Sequence, residues 1–315
     1  AEAVAFNPTK DKQDEQTALD AAYLAVASYI KGINQTPSEL KALREVDTRL
    51  MVRLAEFITA KWPSHSKANE TRMLVGRTFA QTDQPKIAAE WFQRVPETAE
   101  NFPEAQCAAG QALWQQYLLA SIEEDVTLRA SAEELSKWRG DAEKFLKTGI
   151  DRLQKKIPEQ NKTPDDLVAA KSALAEILLS AGQYQPALDL LSKQPHSVLV
   201  AINVDDQTRR PPSPSVRSAR FASHIYQLLL RARVGLQQLD EAREVMAQLE
   251  QLAEHSGGAD AVTAVYVQLG KELEKELVRL KGAGEKVRFD EVRKSFEQFL
   301  DGLYQREDKN LSSLT

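Results

Sequence analysis

The sequence predicts an all-α protein built from helix pairs, and two observations carry this expectation. Apolar residues recur at steps of three and four along most of the chain, the period of one face of an α-helix. Gly, Pro, Asn and Asp break those stripes at similar intervals, so that helix follows helix through tight turns. Composition agrees. The 13 Gly and 13 Pro are together about 8% of 315 residues, below the roughly 12% of ordinary chains. Apolar residues make up 42% and charged residues 28%, enough to bury a core and stay hydrated outside it. These values exclude a disordered tail, a collagen and a disulfide-stapled mini-protein. No apolar run reaches the roughly 18 residues of a spanning helix.

Leu19, Tyr23, Val26, Ile30 and Ile33 step by 4, 3, 4 and 3 and define a first helix, which Gly32 and Asn34 bring to an end. Thr36-Pro37-Ser38-Glu39 reads as the start of a second, with Leu40, Leu43, Leu50, Leu54 and Phe57 behind it. Trp62-Pro63-Ser64-His65 stops that helix. A pair follows at about 66–82 and 85–95, Pro96 and Pro103 bracket a turn, and helices run over about 103–120 and 131–156. Helices at 167–181 and 186–192 form another pair across Gly182-Gln183-Tyr184, with proline near both starts. Helices at 219–236 and 240–255 make a further pair, which Gly257-Gly258 ends; 259–281 and 289–304 complete the helical pattern. Residues 198–204 depart from it. This β-branched run is expected to be a short extended segment, followed by a loop of polyproline character at Arg209-Arg210-Pro211-Pro212-Ser213-Pro214-Ser215. The resulting organisation is 1–196, with an insertion near 121–137, an interruption at 197–218, and 219–315.

Lys and Arg number 41 against 46 Asp and Glu, a net charge of −5, so the basic excess of a nucleic-acid binder is absent. The single cysteine, Cys107, cannot close an internal disulfide. Residues 1–5 carry no basic stretch followed by an apolar one, as a secretory signal would. The missing initiator Met is expected of a processed or a cut chain, and the uncapped segment 310–315 of a piece of a longer one.

The sequence carries no recognisable catalytic motif. His65, His196, His224 and His255 have no second ligand at metal-binding spacing, so no metal and no cofactor are expected. Phosphate-cradling glycine loops are absent; Leu269-Gly270-Lys271-Glu272 lacks both the upstream glycine and the hydroxyl. Cys107 lies on the small-residue face Ala105 to Gly110 and reads as a buried packing thiol. The acid groups at 123–125, 133–134 and 165–166 mostly fall at helix starts or on polar faces, where acids complement the helix dipole. An enzyme is therefore not expected. Arg209, Arg210, Arg217 and Arg220 share a window without an acid and read as a solvated basic loop. A contact with phosphate, an acidic peptide or RNA is the functional alternative.

A recurring pattern runs through the pairs. Gly76 and Phe79 precede Ala88 and Phe92, Ala175 and Leu178 precede Ala187 and Leu191, and Tyr226 and Leu230 precede Ala242 and Met246. The positions 76 and 88, 175 and 187, and 230 and 242 are each twelve apart. Gly110 and Leu113 begin a further unit whose second helix carries Ala142 and Leu146; Tyr266, Gly270 and Leu273 begin a last, degenerate one. A small residue lets two helices approach to about 8–10 Å, and no pair buries its own face, so about three must stack. Over roughly 66–300 the chain thus resembles the tetratricopeptide repeat (TPR).

The resemblance implies a right-handed α-α superhelical solenoid of TPR-like helix pairs. It implies a non-catalytic scaffold or adaptor that holds a protein or peptide on a concave face. Carried onto this chain, that face consists of Arg77, Gln111, Trp114, Gln115, Glu176, His224, Gln227 and Arg231, with Trp114 as an apolar anchor. The phrase Trp62-Pro63-Ser64-His65-Ser66-Lys67-Ala68, followed by Leu74-Val75-Gly76-Arg77, is similar to one in bacterial envelope repeat proteins such as the Tol-Pal coordinator and outer-membrane assembly lipoproteins. It leans toward the periplasm or cell envelope over the cytoplasm. Two other readings stay open: the helical, non-catalytic domain of a larger envelope enzyme, and a unit that self-associates through uncapped ends.

Overall fold

The computed structural model describes residues 12–37, 39–123, 129–158, 163–193, 195–202, 216 and 218–256, with isolated positions between 267 and 301. Helices follow one another, and no strand occurs among the described residues. Packing divides the chain into Ala1–Ile157 and Pro158–Thr315. The first unit holds α1 (Lys12–Gln35), α2 (Lys41–Lys61), α3 (Ser66–Gln81), α4 (Pro85–Gln93), α5 (Phe102–Ser121) and α6 (Ala132–Lys156). The second holds α7 (Asp165–Ser180), α8 (Tyr184–Ser192), α9 (Val198–Ile202), α10 (Ala219–Gly235) and α11 (Leu239–Ser256). The helices expected at 259–281 and 289–304 lie largely outside the described residues, as does the proline-rich loop at 209–215.

Within the first unit α1 pairs with α2, α3 with α4, and α5 with α6. The next hairpin stacks on the previous one: α3 lies on α2 and reaches α1, and α5 lies on α4. In the second unit α7 pairs with α8 and α10 with α11, while α10 packs on both α7 and α8. Each hairpin therefore buries one face internally and a second against its neighbour, which is how a helical repeat builds a continuous core.

Three hairpins reverse through the same turn. Asp83, Gly182 and Gln237 adopt left-handed φ values of 55°, 71° and 62°. The residue after each is a glutamine whose backbone N–H donates five residues back. Gln84 reaches the Phe79 carbonyl, Gln183 that of Leu178 and Gln238 that of Arg233, each at 2.9 Å. This is the Schellman termination of a helix. The second helix then opens on the glutamine carbonyl, which accepts from the N–H of Ala88, Ala187 or Ala242. These alanines are the second small residues of the sequence pattern. The TPR-like repeat type thus has a backbone basis.

Side-chain packing follows the same positions. A Cβ added to Gly76 would lie 2.5 Å from the Phe92 ring. One added to Gly110 would lie 2.6 Å from Leu146 Cγ and 2.9 Å from the Ala142 carbonyl. Gly110, Ala142 and Leu146 are therefore true partners across the long connection between α5 and α6. Gly149 of α6 is as close to α5, where a Cβ would lie 2.8 Å from both the Cys107 nitrogen and the Pro103 carbonyl. Cys107 is buried at this crossing. Ser131 caps α6: its hydroxyl accepts from the Glu134 N–H at 3.2 Å, and the Glu134 carboxylate accepts from the Ser131 N–H at 2.9 Å.

Two local expectations are corrected. The second helix begins at Lys41 rather than near Pro37. The Leu40 N–H first turns back to the Pro37 carbonyl at 3.1 Å, and Arg44 Nη2 donates to the Thr36 carbonyl at 2.6 Å. Residues 198–202 form a turn of helix, α9, instead of extended chain. A lone strand has no partner among the described residues to satisfy its backbone, whereas a helical turn satisfies itself. Ser197 starts that turn, with its hydroxyl donating to the Leu191 carbonyl at 3.0 Å, and Val198 and Ile202 face inward.

Lys171 anchors the segment before α9. It is only 2% exposed, and its Nζ donates to the His196 carbonyl at 2.7 Å. Burial lowers its pKa from the ordinary 10.5 to about 8. His196 sits beside it with a left-handed φ of 60° and a buried Nε2 that has no hydrogen-bond partner.

Three outcomes are expected. Gly149→Ala should destabilise by about 1–3 kcal/mol, because its Cβ meets backbone that cannot yield. Gly140→Ala in the same helix meets nothing within 4 Å and should stabilise by about 0.5–1 kcal/mol. Thermal melts should show opposite shifts of roughly 2–4 °C per kcal/mol. In the turns, Gly182→Ala should cost about 1 kcal/mol and Gln237→Gly should return about 0.5–1 kcal/mol, read by the same melts.

The third concerns pH. Between about 8 and 10.4 the unfolded chain keeps the Lys171 proton that the folded chain has lost, so stability rises with pH. Wild type should therefore gain about 2 kcal/mol on Lys171→Met between pH 7 and 10, measured by urea titration. A constant difference would refute the buried-cation account.

Candidate functional site

In the first unit, α1, α3 and α5 are the first helices of successive hairpins. A groove of about 590 Å³ opens where they meet. Tyr23 of α1 forms one wall, Glu104 of α5 and the turn at 98–101 form the other, and Asn69, Met73 and Leu74 of α3 form the floor. Glu70 and Arg77 of α3 stand exposed beside it. The spacing 69–73 and 70–74–77 puts these residues on neighbouring stripes of one helix face. His65 fixes where that face begins, because its Nδ1 accepts from the Lys67 N–H at 3.1 Å.

Hydrogen bonding decides what the groove offers. Asn69 is 6% exposed, and its Oδ1 accepts from Arg72 Nη1 at 2.5 Å. Arg72 also donates to the Pro63 carbonyl at 3.1 Å and is itself buried. Desolvation is the main influence lowering its pKa; nearby Arg94 adds to it and Glu56 opposes it. With its acceptor held by a permanent cation, Asn69 presents its amide Nδ2 donor to the groove. On the facing helix, Glu104 Oε2 is buried and has no hydrogen-bond partner. Burial, followed by the nearby Glu70 carboxylate, raises the pKa of the Tyr23 hydroxyl. Lys67 is ion-paired with Asp20 and holds its carboxyl below the usual range, with the ammonium 5.7 Å from the Tyr23 ring. The groove thus carries an amide side chain, a buried acceptor without a partner and an apolar floor. No group of three His, Cys, Asp or Glu able to hold a metal occurs among the described residues.

The residues expected to bind are distributed over both units. Arg77 lines the groove. Gln111 and Gln115 are half-buried farther along α5. Trp114 is 6% exposed and stacks on Tyr117 with centroids 4.9 Å apart, so its ring is packed within the unit rather than presented outward. In the second unit, His224 Nε2 of α10 and Glu176 Oε1 of α7 are 2.7 Å apart. Arg231 Nη2 reaches the Leu179 carbonyl at 3.4 Å, and Gln227 is half-buried nearby on α10. These positions join the two first helices of the second unit to each other. Arg209, Arg210 and Arg217 lie outside the described residues, and Arg220 is exposed in the first turn of α10.

Sequence reasoning does not find Tyr23, Asn69, Glu70 and Glu104. Residues 12–61 have no small-residue pair at twelve-residue spacing, so nothing in the repeat pattern marks α1 as a first helix or reveals its wall of the groove. The available signal is the run of polar residues, Asn69, Glu70 and Arg77, beside Met73 and Leu74 on one face of α3.

No family model matches the sequence, and no curated protein matches it. Similar helix pairing does occur in solved structures. Two crystal structures show a Podosopora anserina protein assigned as a kinesin light chain with nearly identical TPR-like repeats. A single-substitution form of that protein is 15% identical over 76% of this chain and 97% of its own, with a TM-score of 0.46. The other is 17% identical over the same shares, with a TM-score of 0.41. Both scores lie below one half, so neither bears on how this chain works. The TPR-like description rests on the repeated turns and close-packed glycines of this chain itself.

Proposed function

We propose that this chain is a non-catalytic scaffold that holds a segment of another protein in the groove between α1, α3 and α5. The observation behind this reading is Glu104 Oε2, buried without a hydrogen-bond partner, in an open groove that Asn69 also lines, with Met73 and Leu74 beneath. An extended peptide alternates N–H and C=O groups. It matches a donor on one helix and an acceptor on the next while its side chains bury apolar surface. The volume of about 590 Å³ lies within the usual range of ligand sites, roughly 300–1,000 Å³. The frame is rigid, since Arg72 orients Asn69 and stacked hairpins hold the helices, which limits the ordering cost of binding.

A random dodecapeptide library displayed on phage, panned against the full chain, tests this. Selected peptides should bind wild type and Gln93→Trp, an exposed position that does not line the groove, equally. They should bind the groove-filling variant Thr98→Trp at least about tenfold more weakly. Peptides that bind all three alike would move the site elsewhere, and a folded chain that selects none would end the reading.

A further inference from the structure

We infer that the segment held in this groove is basic, with a Lys or Arg side chain seated against Glu104. This deepens the peptide reading and rests on it. Glu70, Glu100 and Glu104 line the groove against a single cation, Arg77. The other nearby cations are engaged elsewhere. Lys67 is ion-paired with Asp20, Arg152 with Glu97, and Lys156 donates to the Glu100 carbonyl at 2.6 Å. Glu104 Oε2 is therefore left buried without a donor, an arrangement native proteins rarely tolerate unless something else supplies one.

A backbone N–H from the occupant would satisfy that oxygen geometrically and leave the charge uncompensated. A Lys or Arg head group supplies both the N–H and the charge, and such bonds are roughly twice as strong as neutral ones. The rest of the site suits the same side chain. Its methylene stem can lie on Met73 and Leu74 while its head reaches the carboxylate. The Asn69 Nδ2 donor meets the carbonyl of the same or the next residue. An acidic occupant would face three carboxylates with only Arg77 to receive it.

The peptides selected in the groove supply the probe. Those that lose affinity for Thr98→Trp should carry Lys or Arg at one shared position. Replacing that residue by norleucine should weaken binding by about tenfold in isothermal titration, and Glu104→Gln should do the same to the parent peptide. The two losses should not add in the double combination, because they remove one interaction. Circular dichroism verifies the fold of Glu104→Gln, and Glu70→Gln, at an exposed position, gives a second variant with a smaller loss in the same direction. Groove-dependent peptides without a shared basic residue, or unchanged affinity for both variants, would overturn the basic occupant and leave the peptide groove standing. The absence of any groove-dependent peptide would remove both.

Discussion

At Asp83, Gly182 and Gln237 the chain takes one left-handed step, and the next amide closes onto a carbonyl five residues behind it. That bond fixes where the first helix stops, and the glutamine carbonyl beyond it fixes where the second begins. With both ends set, the small residues Ala88, Ala187 and Ala242 fall opposite the first helix without further adjustment. The hairpins can then stack, and the groove between α1, α3 and α5 is a product of that stacking. Loosening the turn would alter the approach of the helices well before it altered their helicity, because intrahelical bonds are local and the approach is not.

The parts of the fold that are legible in the sequence are those decided locally. Gly76 with Ala88 and Phe92 can be read because close approach demands a small residue on one side and tolerates a large one on the other. Gly110 with Ala142 and Leu146 can be read across a long connection for the same reason. Residues 198–202 mislead because a β-branched composition argues for a strand, while the lack of a neighbouring strand among the described residues is a tertiary fact. Trp114 misleads as an anchor because a wide apolar face on α5 leaves several azimuths open, and Tyr117 decides which is covered. Tyr23 and Glu104 come together only once three hairpins are stacked, so no window of sequence displays them side by side.

Two buried cations show how the protein handles charge away from carboxylates. Arg72 and Lys171 both find oxygen partners of neutral groups, Asn69 and Pro63 for one and the His196 carbonyl for the other. The guanidinium keeps its proton at any ordinary pH, so Arg72 orients an amide permanently. The ammonium is a more easily deprotonated group, so Lys171 holds the chain before α9 in a way that depends on the medium. A fixed charge sits behind the groove, and a yielding one sits in the other unit.

The close crossing of α5 and α6 gives the molecule its own reporter. Its one thiol, Cys107, is buried where Gly149 leaves no space for a Cβ, so an alkylating reagent reaches the sulfur only when those two helices part. The rate of alkylation is then a clock for that single opening event, read in the native chain without any engineered label. Whatever settles in the neighbouring groove against Glu104 also bears on α5, and its grip would be audible as a slowing of that clock.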